Sequence, residues 1–333
     1  MQGNDMNRRE ILKTAAASFA GAAAGWPTVG PARAADWPSK AVRVVVPYAA
    51  GSATDLVPRT VFDQVGQQTG QSFVIENRPG GGTTLGTAQV QKSDPDGHTI
   101  LVHSNAIVTV PAIQANVPYD PVKDFSGITP LGSVPLVLVV APSKGIKTVR
   151  ELAAAARAKP GSITYAAAGI GTPPHLTMER FRLAAGFDGQ LIPFKGAPEA
   201  LTEVMTGRVD IYFCPITPAI PLIKDGKVLP LAVSSSRRAS ALPDVPTTVE
   251  AGVPDSDFDF WVGAFVPKAT PREIVQKMHQ ATVKALQSPE TRQKLTTLGV
   301  EQMITTPDDF DARLAKEAAI ARELAKAANI PMQ

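Results

Sequence analysis

Two stretches of this sequence place small residues and hydroxyls just ahead of a helix start, and that combination suits the capture of an anion. The first runs Pro47-Tyr48-Ala49-Ala50-Gly51-Ser52-Ala53-Thr54-Asp55, after the apolar segment Val42–Val46 and before a helix expected from Leu56. Gly51 and Ala53 let the backbone approach a ligand closely, and Ser52 and Thr54 can donate hydroxyl protons. The open N–H groups and positive dipole end of a helix start favour negative charge. Asp55 would repel an anion, so it is read as the helix cap. The second stretch is Ala166-Ala167-Ala168-Gly169-Ile170-Gly171-Thr172-Pro173-Pro174-His175, after Ile163–Tyr165 and before a helical pattern at Leu176–Phe181. Thr172 is its side-chain donor. Two such loops, more than 100 residues apart, could hold opposite ends of one anion across a cleft. Three or four charge-assisted hydrogen bonds of about 1.5–3 kcal/mol each approach the −8 kcal/mol or so of a micromolar ligand, before ordering costs.

The constellations of covalent and metal chemistry are missing. No serine sits in a Gly-x-Ser-x-Gly elbow, there is no His-Glu-x-x-His, and His98, His103, His175 and His279 lack metal-ligand spacing. Gly80-Gly81-Gly82-Thr83-Thr84-Leu85-Gly86 has no P-loop lysine and does not directly follow a strand, so it reads as a strand-to-helix turn. No catalytic residue, cofactor or metal is expected. The one cysteine, Cys214, permits no internal disulfide, so stability must come from buried apolar area.

At the N-terminus, Arg8-Arg9-Glu10-Ile11-Leu12-Lys13 precedes an apolar run from Thr14 to Trp26 and a small-x-small site at Ala32-Arg33-Ala34. This order predicts a twin-arginine signal peptide over residues 1–34, cleaved near Ala34 in the periplasm. Those residues carry four basic and two acidic side chains, so without them the formal charge falls from +3 to +1. A nearly neutral mature chain argues against a nucleic-acid partner. No later run of about 18 apolar residues offers a membrane span.

Short continuous apolar runs at Val42–Val46, Phe73–Ile75, Thr99–Val102, Leu136–Val140, Ile163–Tyr165, Val209–Phe213 and Leu229–Val233 suit strands covered on both faces. Thr148-Val149-Arg150-Glu151 and Thr270-Pro271-Arg272-Glu273 read as capping boxes; Ser288-Pro289-Glu290 and Thr306-Pro307-Asp308 begin two further helices. Strand and helix alternate to about residue 266, and a helical tail follows. The chain is therefore read as α/β, and the proline- and aspartate-rich segments Pro118–Asp124 and Leu242–Pro254 as connections between lobes.

At the first loop, Val44-Val45-Val46-Pro47-Tyr48-Ala49-Ala50-Gly51-Ser52-Ala53-Thr54-Asp55 resembles the signature of the Bug (TctC-like) extracytoplasmic solute receptors. Glu76-Asn77-Arg78-Pro79-Gly80-Gly81-Gly82 and Pro118-Tyr119-Asp120-Pro121-Val122-Lys123-Asp124-Phe125 resemble further blocks of that family. So do Tyr165-Ala166-Ala167-Ala168-Gly169, Phe194-Lys195-Gly196 and Leu242-Pro243-Asp244-Val245-Pro246-Thr247. The resemblance implies a two-lobed, type II-like periplasmic-binding-protein fold, each lobe a mostly parallel sheet flanked by helices. Residues 35–134 and 262–333 would form one lobe and 135–261 the other. It implies a monomeric receptor that passes a small carboxylate to a tripartite tricarboxylate-type permease. The alternatives are a ligand-dependent partner of a sensor kinase or an exported hydrolase or isomerase.

Carried onto this chain, the first-lobe contacts are Tyr48, Gly51, Ser52, Ala53 and Thr54, joined by Ser104 and Asn105. The second-lobe contacts are Ala168, Gly169 and Thr172, then His175, Lys195 and Cys214. Competing readings make Lys195 a solvated cation, His175 a structural donor, and both His103 and Cys214 packed residues. Many relatives carry an Asp-Asn pair where this chain has Cys214-Pro215, which disfavours an amino-acid ligand. An aromatic or aliphatic carboxylate is expected instead, with Tyr48 and Phe194 placed to suit a ring.

Overall fold

The computed structural model describes residues 37–327 together with Ile330 and Met332; the signal peptide read in residues 1–34 lies outside them. Most of the apolar runs form strands buried on both faces; the run at Phe73–Ile75 does not, and its Val74 is exposed. In β1 (Val42–Val46) only Arg43 is exposed, and β3 (Thr99–Ser104) and β5 (Leu136–Val140) are buried throughout. The first sheet has the order β2-β1-β3-β10-β4, with β2 at Phe73–Asn77, β4 at Phe125–Ser133 and β10 at Trp261–Pro267. The second has the order β7-β6-β8-β5-β9, with β6 at Ile163–Ala167, β7 at Gly189–Pro193, β8 at Ile211–Pro215 and β9 at Leu229–Val233.

Both sheets are mixed in the same way. Strands β2, β1 and β3 pair in parallel, and β10 is antiparallel to β3 and β4. In the second sheet β7, β6 and β8 are parallel, and β5 is antiparallel to β8 and β9. Four of five strands in each sheet thus share a direction. The reversed one is the strand by which the chain arrives from the other sheet. Crossings lie at Val134-Pro135 and ahead of Trp261. They are tied by Val134 N–H to Phe260 O at 2.8 Å and Phe258 N–H to Ser234 O at 2.7 Å.

Helices flank the sheets: α1 (Ala53–Thr69), α2 (Thr84–Gln91), α3 (Ala106–Thr109), α4 (Val149–Ala158), α5 (Pro173–Ala185), α6 (Ala197–Met205) and α7 (Ile216–Lys224). The tail adds α8 (Arg272–Gln287), α9 (Pro289–Thr297) and α10 (Pro307–Ala327), and α8 packs on α1 and β4. One continuous apolar cluster runs from Val42 and Val44 of the first sheet to Val137 and Phe213 of the second.

Three strands were not visible as apolar runs. β4 carries Gly127, Pro130 and Gly132 and tolerates them at a sheet edge. β7 is an edge strand of mixed exposure. β10 is interrupted by Gly263, where a Cβ would lie 2.4 Å from the Phe310 ring. Val209 also falls short of β8, which starts at Ile211.

Several caps differ from expectation. Thr148, Ser288 and Thr306 accept from the N–H groups of Glu151, Thr291 and Asp309, as their spacing predicts. Glu151, however, reaches back to Lys147 N–H rather than Thr148. Thr270 does not cap α8: extended Pro271 (ψ 134°) moves the start one residue on and leaves the buried Thr270 hydroxyl without a partner. Asp55 is the third residue of α1 rather than its cap.

Candidate functional site

The carboxyl ends of β1, β3, β6, β7 and β8 face one narrow cavity of about 30 Å³. In each sheet the chain turns to opposite sides from neighbouring strands there, β1 and β3 in one, β6 and β8 in the other. That is where open α/β sheets bind ligands. Four helices begin at this cavity. Their first flanking residues, Ser52 for α1, Thr172 for α5, Gly196 for α6 and Pro215 for α7, all line it, and none makes a side-chain cap. Each helix start carries roughly half a positive charge. Among the described residues that line it only Tyr48 is ionisable, so the field is set by helix ends and hydroxyls.

The first-sheet wall is rich in donors. Ser52 is 8% exposed, and its hydroxyl has no partner among the described residues. The N–H groups of Ala53 and Thr54 have no acceptor among the described residues, while Asp55 and Leu56 N–H both bond to Ser52 O. Tyr48 Oη and Ser104 Oγ lie 2.6 Å apart, and Ala106 N–H donates to Ser104 Oγ at 3.1 Å. Whichever hydroxyl donates within the pair, the other keeps a free proton for a ligand. Burial raises the Tyr48 phenol well above its usual range, partly offset by Ser104, so it stays protonated.

Behind this pair lies His103, fully buried and edge-on to Tyr48 with ring centroids 5.5 Å apart. Its Nδ1 faces Ser104 O at 3.0 Å and must donate, so Nε2 accepts from Thr83 Oγ1 at 3.2 Å. Burial drives the imidazole pKa down to about 3 and keeps it neutral. Asp55 points away from the cavity. Burial pushes its carboxyl up, but bonds from Arg59, Gly51 N–H and Asn77 outweigh this and hold it below the ordinary range.

The second-sheet wall is drier. Pro173 and Pro174 remove two N–H groups from the first turn of α5, and Thr172 Oγ1 donates to Gly169 O at 2.7 Å. Ala168, Ala197, Pro215 and, from the crossing strand, Phe260 complete an apolar surface.

Of the expected contacts, the structure brings Tyr48, Ser52, Ala53, Thr54, Ser104, Ala168 and Thr172 to this cavity. Gly51 and Gly169 shape the loops from behind, through their bonds to Asp55 and Thr172. Asn105 turns away: its Nδ2 donates to Asp259 O at 3.0 Å, and it borders a separate cavity between α5 and α10. His175 is buried with Nδ1 accepting from Gly171 N–H, and burial lowers its pKa, so it is a structural acceptor. Lys195 is exposed. Cys214 is fully buried, its thiol donates to Pro215 O, and burial raises its pKa. Phe194 packs on the core rather than the cavity; the ring found there is Phe260.

Sequence reasoning missed Gly196, Ala197, Pro215 and Phe260. The first three follow strands β7 and β8, and the strand-then-small-residue signal that exposed the first two loops applies to them as well. Phe260 had no such signal, since its place depends on the chain's return to the first sheet. A larger cavity of about 570 Å³ lies between α8 and the start of α10. Its Lys268 and Arg272 are paired with Asp311 and Asp308, so it presents no free charge of one sign.

Comparison with known proteins bears on the family and the fold. Residues 57–330 match the family described as tripartite tricarboxylate transporter family receptor. An R. palustris protein solved with adipate is 31% identical and covers 89% of this chain and 99% of its own, at a TM-score of 0.85. The periplasmic binding protein BugD is 31% identical over 89% of this chain and 100% of its own, at 0.83. MatC from Rhodopseudomonas palustris with bound malate is 31% identical over 86% and 99%, at 0.81.

Proposed function

The chain belongs to the tripartite tricarboxylate transporter receptor family, and from that premise we propose that it captures a small carboxylate between two lobes and delivers it to a membrane permease of that type. As a member it is a solute-binding receptor rather than an enzyme. The lobes in this reading are residues 35–134 with 262–333, and 135–261. The protein works as a monomer in the periplasm, exported by the twin-arginine route with cleavage near Ala34.

The observation that carries the ligand class is the meeting of four uncapped helix starts at one cavity with no charged side chain. Together they supply about two positive charge equivalents, which a carboxylate ligand complements. That related proteins were solved with adipate and with malate supports the same class. Among the described residues no carboxylate side chain lines the cavity to receive an ammonium group, so amino acids are disfavoured. Apolar Pro173, Pro174, Pro215 and Phe260 suit an aliphatic or aromatic body.

The test is mass spectrometry of ligand released from protein purified without refolding, followed by a thermal-shift panel of the acids found. Recovery of carboxylates without an amino group is expected. Recovery of, and stabilisation by, aspartate or glutamate alone would overturn the ligand class. Permease-dependent uptake of the identified acid in a strain deleted for this protein, restored on complementation, separates transport from sensor signalling.

A further inference from the structure

The loop that carries Thr172 to the cavity also makes a contact with the first sheet's helices that involves no ligand-facing atom. Gly171 O accepts from Thr109 Oγ1 at 2.5 Å, and Thr109 is 4% exposed. Gly171 has φ +77°, and a Cβ there would lie 2.5 Å from Ile113 Cδ1, 2.9 Å from its Cγ1 and 3.4 Å from Val110 Cα. Ile113 is 1% exposed, so it has little room to move aside. Next to it, Ile170 packs on a small apolar cluster of Ala112, Ile113, Ala321 and Ala325, which is separate from the main core. A hydrogen bond, a backbone-to-side-chain fit that only glycine allows, and an apolar plug thus come from two consecutive residues, Ile170 and Gly171, at one loop tip. They join the β6–α5 loop to α3 and α10, which flank the other sheet.

We infer that Thr109 and Gly171 are positioning residues that catch the two lobes together over the cavity, and that the catch sets ligand affinity without touching the ligand. The inference rests on the two-lobe closure in the reading above but not on the ligand's identity. Because every atom of the catch belongs to the protein, it biases the lobes towards closure before a ligand arrives. A ligand then meets a site whose closed form is already populated, and its apparent affinity rises with that fraction. The glycine is required because the approach to Val110 and Ile113 leaves no space for a Cβ, and φ is in the left-handed region.

The test needs no ligand. Nitroxide labels at exposed Gln276 of α8 and Gln190 of β7, in a Cys214→Ser background, report the inter-lobe distance by pulsed electron resonance. Thr109→Val keeps the side-chain shape and removes the donor; it is expected to lower the closed-to-open ratio about tenfold. Gly171→Val is expected to lower it further, because its Cβ and branches meet Ile113 only when the lobes are together. Circular dichroism checks that each variant is folded, and Thr109→Val remains informative if Gly171→Val is not. Distance distributions for the folded variants that superimpose on the parent would overturn the catch. That result would leave the carboxylate reading standing, and a failed ligand panel would leave the catch standing.

Discussion

At Ser52 a hydroxyl that could close its own helix is left buried and unpartnered beside the cavity. Thr172 holds the matching place on α5, with its hydroxyl turned to Gly169 O. The double variant Ser52→Ala/Thr172→Ala should weaken ligand binding at least tenfold by calorimetry, while ligand-free melting shows it still folded, with a loss of no more than about 1.5 kcal/mol. Retained affinity would show that the ligand lies elsewhere. Behind them, His103 gives a pH prediction. The unfolded chain takes up a proton below about pH 6.5, whereas the native imidazole does so only near 3. Stability is therefore full above about 6.5 and is lost as pH falls through that window, by up to about 1.4 kcal/mol per pH unit. His103→Gln should flatten this part of the profile in urea unfolding at pH 7, 6 and 5. The hydroxyls at 52 and 172 were legible because a strand followed by small residues leaves few places for them to point, whereas Ser104 came only through the family resemblance. Asn105, His175 and Cys214 were not, because Asp259, Gly171 and Pro215 decide their orientation.

Helix starts divide by what closes them. α4, α9 and α10 are capped by Thr148, Ser288 and Thr306, all away from the cavity. The four starts at the cavity have no such cap, and neither do those of α2, α3 and α8. A hydroxyl cap contributes about 1 kcal/mol to folding, so leaving it out at a helix start trades local stability for a place to bind. Thr148→Ala should thus cost about 1 kcal/mol in chemical denaturation, and Ser52→Ala less than about 0.5 kcal/mol in the same ligand-free assay. Equal losses would mean that Ser52 serves its helix after all. Elements dominated by apolar residues, such as β1, β5 and β9, could be read to the residue. β4 and β10 could not, since Gly132, Pro130 and Gly263 are admitted only by an edge position and by the close passage of Phe310. The proline at 271 similarly looked like a first helical residue, and its extended backbone shows that it precedes the helix.

In the whole molecule, two sheets of like topology share one apolar cluster and are joined by two hydrogen-bonded crossings. α/β alternation was visible in the chain's own pattern, but the return of the chain to the first lobe came only through the family resemblance: nothing local says that β10 inserts between β3 and β4. That exchange makes the halves interdependent, because β5 and β10 each pair on both sides within the sheet they enter. Losing either sheet strips partners from the segment that anchors the other. Unfolding should therefore be a single transition rather than two. Trp37 and Trp261, the tryptophans among the described residues, lie on the first-sheet side, Trp261 being the first residue of β10. Their fluorescence reports that side, while far-ultraviolet circular dichroism reports both. Coincident melting curves from the two probes are expected, and a bound acid at a hundred times its dissociation constant should shift both together by about 2.7 kcal/mol of added stability. Two separated transitions, with ligand moving only one, would mean that the crossings tether the lobes without coupling their folding. In that case the cavity's donor wall alone would carry the affinity.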